Sequence, residues 1–151
     1  MRYVKGIIIV IALAFAGEAW GLSCSATTSP VNFGGYDTSL SSPLDGAGSL
    51  TVTCDTVLTY TATFTSGLYS GGAFNPRKMQ ISAGADTVNY NLYRDSGRTQ
   101  IWGDGTGSTF SVSGTSVISS GVVSTIYGRI PAHQNARVGA YGDSITVTVL
   151  Y

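Results

Sequence analysis

The chain of 151 residues carries eight Lys and Arg against eight Asp and Glu, one His and two Cys. That length suits one domain with a buried core, and the charge balance leaves neither a basic face for nucleic acid nor a polybasic run for anionic lipid. A single histidine excludes a zinc site built of several imidazoles.

Arg2 and Lys5 precede an apolar run from Gly6 to Ala16 that is too short to span a bilayer comfortably. With small residues at Ala19 and Gly21, residues 1–21 read as a secretory signal peptide cut after Gly21, a cut after Ala19 being the alternative. The domain is then 22–151, where six Lys and Arg face seven Asp for a net charge of −1. Both cysteines lie in this exported part, and an oxidising compartment favours a Cys24–Cys54 disulfide. Closing a loop of about 30 residues contributes about 3–4 kcal/mol in the chain-entropy view. The competing reading is a lipid-modified Cys24 within Leu22-Ser23-Cys24, which would strand Cys54.

Beyond residue 21 there is no glutamate and one lysine, Lys78, while Ser, Thr, Gly and Tyr abound. Short alternating runs of Thr, Val, Ile, Tyr and Phe bounded by Gly, Asn, Asp and Ser indicate an all-β sandwich or barrel. In chain order the strands are expected near Ser23 to Thr27, Val31 to Tyr36, Ser49 to Asp55, Thr59 to Ser66, Lys78 to Ala83, Thr87 to Arg94, Thr109 to Ser113, Val122 to Arg129 and Ser144 to Tyr151. Turn signals separate them at Asp45-Gly46, Ser66-Gly67, Ser70-Gly71-Gly72, Ser96-Gly97, Asp104-Gly105 and Tyr141-Gly142-Asp143. Leu50, Val52 and Cys54 share one strand face and Tyr60, Ala62 and Phe64 another, as two inner faces of one sandwich would. In the last strand Ile145, Val147, Val149 and Tyr151 point one way and Thr146, Thr148 and Leu150 the other. So regular and apolar a terminal strand needs a neighbour, and an exposed edge of that kind templates pairing with another chain.

Chemistry-bearing constellations are thin. A Ser-His-Asp site would rest on His133 alone, set in a polar loop with Pro131, Gln134 and Asn135. Gly103-Asp104-Gly105-Thr106-Gly107 lacks the lysine of a phosphate loop and reads as a tight turn. The seven aspartates stand singly beside turn residues, too few together for a calcium loop. Tyr93, Trp102 and Tyr141 are the aromatic candidates for a sugar-binding surface. The residues imply no enzyme, no catalytic residue, no metal and no small-molecule cofactor.

Read in order, the chain resembles the spore coat protein U domain family, the subunit fold of archaic chaperone-usher pili. The matching residues include Val31-Asn32-Phe33-Gly34-Gly35-Tyr36 and Gly48-Ser49-Leu50-Thr51-Val52-Thr53-Cys54, then Tyr90-Asn91-Leu92-Tyr93-Arg94-Asp95 and Ile101-Trp102-Gly103-Asp104-Gly105. The tail adds Tyr127-Gly128-Arg129-Ile130-Pro131-Ala132, Gln134, Val138-Gly139-Ala140-Tyr141 and Asp143 to Tyr151. The resemblance implies an incomplete immunoglobulin-like β-sandwich lacking its final strand, with one disulfide. It also implies a structural subunit of a surface fibre or coat, exported through the periplasm, whose open groove takes a strand from a periplasmic chaperone and then from another subunit at the outer-membrane usher. Ile145, Val147, Val149 and Tyr151 are the residues expected to line that acceptor groove. Only Leu22 and Ser23 precede the first cysteine after the expected cut, so the subunit is expected to accept a strand rather than donate one, as a minor, terminal or coat component would. The alternatives are a self-contained secreted carbohydrate-binding β-sandwich and, less economically, a small hydrolase using His133.

Overall fold

The computed structural model describes residues 3–4 and 22–151. The expected signal peptide thus lies outside the described residues, apart from the backbone at 3–4. The elements are β1 (Tyr3–Val4), β2 (Cys24–Asn32), β3 (Gly34–Gly35), β4 (Leu44–Cys54), β5 (Thr59–Phe64), β6 (Arg77–Ile81), β7 (Thr87–Tyr93), β8 (Val112–Thr115), β9 (Val122–Ile130), β10 (Tyr141–Gly142) and β11 (Val147–Leu150). A six-stranded sheet runs β10-β6-β7-β9-β4-β2 and a three-stranded sheet runs β11-β5-β8, while β1 pairs with β3. Every pairing between these strands is antiparallel. The all-β sandwich expected from the alternating pattern is the observed fold.

Period-two alternation places the core. Leu50, Val52 and Cys54 of β4 and Tyr60, Ala62 and Phe64 of β5 are all at most 2% exposed, as strands with one face inward require. Trp102 is fully buried, stacks on Phe64 with ring centroids 4.2 Å apart, and its indole N–H donates to the Ala62 carbonyl at 3.1 Å. Buried aromatic N–H groups need such a partner.

Three expectations about element boundaries are corrected. The strand expected over Ser23 to Thr27 runs on through Val31 and Asn32 of the next one as β2, which shifts register against β4 between Ser29 and Asn32, on either side of Pro30, while Gly34–Gly35 of that next strand form the separate β3. Proline donates no ladder hydrogen bond, and an edge strand tolerates it at such an irregularity. Asp45-Gly46, expected as a turn, lies inside β4. Here the aspartate is a cross-strand partner of Arg129, which donates to it through Nε (2.7 Å) and Nη2 (2.9 Å). Gly46 opposes Gly128 across the ladder, and the Phe33 ring lies over both. These glycines make room for an aromatic ring; they are not turn residues. A Cβ at Gly128 would stand 2.6 Å from Phe33 Cζ and 2.7 Å from Val31 Cγ1. Gly128→Ala is therefore expected to destabilise by about 1–3 kcal/mol through overpacking, measured as a shifted urea midpoint at unchanged slope.

The third correction is at the C-terminal segment. Tyr141–Gly142 forms strand β10 on the six-stranded sheet, pairing with Ile81 and Gln80, before the chain crosses to the other sheet and forms β11. The expected single strand from Ser144 to Tyr151 is thus shorter, and the expected turn before it is part of a sheet-switching segment.

Candidate functional site at the free edge of β11

β11 pairs with β5 through Val147↔Phe64, Thr148↔Thr63, Val149↔Ala62 and Leu150↔Thr61. On its other side no strand pairs with it among the described residues. Thr65 donates its N–H to the Thr146 carbonyl at 3.1 Å. Antiparallel ladders alternate, so Thr146, Thr148 and Leu150 direct their backbone groups toward β5 while Val147 and Val149 direct theirs outward. A row of backbone donors and acceptors therefore lies open along the edge.

Among the described residues, two other edges, those of the large sheet, are protected. β2 carries Pro30 and a register shift, and β10 is two residues long. Short length, proline and irregularity are the usual defences of an edge strand. From Ser144 to Tyr151 there is neither a proline nor a charged side chain. β8 and β11, four residues each, lack proline, charge and register shift alike, and of the two β11 is the last strand of the described chain, its side opposite β5 unpaired.

The inner face thins toward the flanks. Along one row of the three-stranded sheet Ala62 is fully buried, whereas its neighbours Val149 and Val112 are half-buried against the core. In the six-stranded sheet Val52 is covered, whereas its cross-strand neighbours Ala26 and Val122 are half-buried. Of the four residues expected to line a groove, Ile145 and Val147 are already core, at 1% and 2% exposure. Val149 is at the rim, and Tyr151 lies beyond the end of β11 at 51% exposure. The structure thus does not bring all four side chains into one open groove. What it presents at this edge is the Val147 and Val149 backbone and the flank of Val149.

The crossover leading into β11 is held by a polar cluster that the sequence pattern did not single out. Asp143, 7% exposed, accepts hydrogen bonds from the Tyr90 hydroxyl at 2.6 Å, the Leu68 N–H at 2.9 Å and the Ser144 N–H at 2.8 Å. Nearby Arg77, fully buried, donates to the Thr65 carbonyl through Nε and Nη2, to the Trp102 carbonyl at 2.6 Å and to Asn91 Oδ1 at 2.8 Å. Burial lowers the Arg77 pKa to about 10, which still leaves it charged at neutral pH. Burial raises the Asp143 carboxyl above its ordinary value, against the pull of the Tyr90, Leu68 and Ser144 hydrogen bonds and of the Arg77 charge. The Tyr90 hydroxyl is likewise raised, by burial first and then by Asp143.

The sign of the pH dependence follows. A carboxyl whose folded pKa is raised adds stability below its unfolded pKa, and that stability is lost as pH rises through the folded value. Asp45 is opposite: the Arg129 hydrogen bonds lower its pKa, so its contribution is present above the unfolded value and lost as pH falls through the folded one. Asp143→Asn is therefore expected to steepen the loss of stability on acidification, because the opposing Asp143 contribution is gone. Urea midpoints of both proteins across the carboxylate titration range check this.

The remaining candidates find plain structural roles. Cys24 and Cys54 are disulfide-bonded, with Cα atoms 4.1 Å apart at directly paired positions of β2 and β4, so Cys24 has no thiol left for a lipid. Trp102 and Tyr141 are buried, and Tyr141 donates its hydroxyl to the Arg137 carbonyl, so neither offers a ring face to a sugar; Tyr93 is half-buried. Asp104 accepts from the Thr106 N–H and hydroxyl at 2.9 and 2.7 Å, the side-chain-capped turn expected of Gly103 to Gly107. His133 is exposed and, among the described residues, makes no hydrogen bond or ion pair to a carboxylate.

The Spore Coat Protein U domain matches this chain over residues 13–148. Protein U of Myxococcus xanthus is 32% identical over 147 residues, covering 91% of this chain and 80% of that protein. Among solved structures, a chain of the CsuC-CsuE chaperone-tip adhesion subunit pre-assembly complex from archaic chaperone-usher Csu pili of Acinetobacter baumannii superposes with a TM-score of 0.58 at 20% identity. That likeness covers 86% of this chain and 40% of the solved one, so the chain spans well under half the length of that solved protein. With a match over nine-tenths of its length and the same immunoglobulin-like all-β architecture, the chain belongs to the Spore Coat Protein U domain family.

Proposed function

We propose that this protein is a structural, non-enzymatic subunit of a surface fibre or coat, exported through the periplasm and assembled by donor-strand complementation at the β11 edge. The observation that carries this reading is the unpaired outer edge of β11, with the Val147 and Val149 backbone directed away from β5. An added strand gains main-chain hydrogen bonds there, and its alternate side chains cover the half-buried flank. The first occupant is a periplasmic chaperone, and a neighbouring subunit delivered at the outer-membrane usher replaces it. Family membership and the fold shared with a chain of a chaperone-subunit complex support these partners. No cofactor or metal takes part.

Expression in the periplasm with and without the cognate chaperone tests the reading. Aggregation or degradation of the protein expressed alone, and recovery as a complex with the chaperone, is the expected result. An equally soluble and stable monomer in both cases would sink it. A point substitution sharpens the test. Because the Val149 N–H faces away from β5, Val149→Pro removes a donor from the free edge without removing a β5 ladder bond. The expected outcome is a folded protein, destabilised by no more than about 1–2 kcal/mol, whose recovery with the chaperone drops at least tenfold.

A further inference from the structure

We infer that Asp143, seated against Gly67, is a positioning residue that sets the register of β11 on β5 and thereby decides which backbone groups lie on the open edge.

The carboxylate gathers donors from three places: Tyr90 in β7 of the six-stranded sheet, Leu68 in the loop after β5, and Ser144 in the crossover itself. It sits where the chain leaves β10 and before it joins β11. Space for it exists because residue 67 has no side chain. A Cβ there would collide with Asp143 Oδ2, and Gly67 also has a φ of +92°, a conformation that disfavours any other residue. Two residues beyond Ser144 the ladder starts irregularly. Arg77 occupies the Thr65 carbonyl, so the Thr146 N–H turns to Thr65 Oγ1 at 3.0 Å. The crossover is thus pinned at Asp143 and tied at Thr146, with little slack between.

Register matters more here than elsewhere because side chains and backbone groups both repeat every two residues. A slip by one residue would turn Val147 and Val149 outward and expose the Thr148 and Leu150 amides instead. Such a slip would also turn Ile145 and Val147 out of the core, so the buried face already opposes it. Asp143, the buried carboxylate of the crossover, adds a polar landmark to that apolar one. Buried polar groups serve as register markers in other folds by the same physics, since a misplaced one is left unsatisfied.

The test is residue-resolved amide exchange in the full chain, released from the chaperone complex and kept dilute and cold enough to stay monomeric. In the unaltered protein the Thr148 and Leu150 amides are expected to be protected and those of Val147 and Val149 to exchange freely. In Asp143→Ala that alternation is expected to collapse, with protection at Thr148 and Leu150 falling by about tenfold or more relative to the amides of β9. Asp143→Asn keeps an acceptor for Leu68 and Ser144 and is expected to restore the alternation. Gly67→Ala, which pushes the carboxylate away, is expected to reproduce the alanine pattern. A general loss of stability would instead speed exchange in β9 and β11 alike and leave the odd-even contrast intact. Unchanged alternation in Asp143→Ala would overturn the inference. The consequence for assembly rests on the proposed acceptor role and is read separately with a synthetic peptide of alternating Val and Thr carrying a lysine tail. If the unaltered protein does not bind it, the acceptor reading fails while the exchange result still decides the register.

Discussion

Replacing Arg77 with Met is expected to destabilise the domain by about 3–5 kcal/mol, because buried acceptors left without donors cost about 1–3 kcal/mol each. Methionine fills much of the aliphatic volume but donates nothing. The Thr65 and Trp102 carbonyls would lose the donor shown at present, and Asn91 Oδ1 would keep only the Leu92 N–H at 2.9 Å. Asn91 in turn holds the Phe74 carbonyl through Nδ2 at 2.9 Å, and Phe74 lies under the Arg77 guanidinium at 5.3 Å. The loss therefore spreads from β6 into β7, the end of β5 and the loop before β6. Total stability of a domain this size is about 5–15 kcal/mol, so a shift of this magnitude threatens folding at physiological temperature. Arg77→Lys is expected to fall between the two, since an ammonium keeps the charge and some donors but lacks the planar fork. Chemical denaturation of the three proteins checks the order.

Removing the disulfide is expected to cost about 3–4 kcal/mol, the chain-entropy value for a loop of this size. Cys24 and Cys54 are separated by 30 residues and close the start of β2 onto the end of β4. β2 is an edge strand whose inward residues Cys24, Ala26 and Thr28 are only half-buried, so apolar burial alone holds its first half weakly. Its second half is better anchored by Val31 at 2% exposure and by neighbouring Phe33 at 6%. The double substitution Cys24→Ser with Cys54→Ser is accordingly expected to fray β2 from its start. Amide exchange should rise at Ser25 and Thr27 while the β4–β9 ladder stays protected. Uniform acceleration through β9 would mean that the bond stabilises the whole sandwich and not its edge.

How far the sequence revealed this arrangement depended on which physical signal each element carries. β5 alternates Thr59, Tyr60, Thr61, Ala62, Thr63 and Phe64 without interruption, and the structure buries alternate members of that run. Pairs such as Cys24–Cys54 were legible because compartment and cysteine count leave few options. Gly46 was misleading because a glycine beneath an aromatic ring and a glycine in a turn look alike until the partner ring is located. Tyr141-Gly142-Asp143 misled for a related reason: it has turn composition, yet it is a strand fragment and a sheet crossover. Arg77 and Asp143 carried no local signal at all. An arginine following Asn75 and Pro76 and an aspartate after a glycine look solvent-facing, and only tertiary packing buries them. The groove-lining expectation met a limit of the same kind. Alternation correctly grouped Ile145, Val147 and Val149 on one face, but it does not reveal how much of that face the opposite sheet already covers.

The most direct measurement of strand completion is amide exchange at Val147 and Val149 in the protein free and in complex with the periplasmic partner that co-purifies with it. Fast exchange in the free protein and strong protection in the complex is the result expected if a second polypeptide pairs with β11. Rates at both amides that stay unchanged while the partner is bound would contradict it.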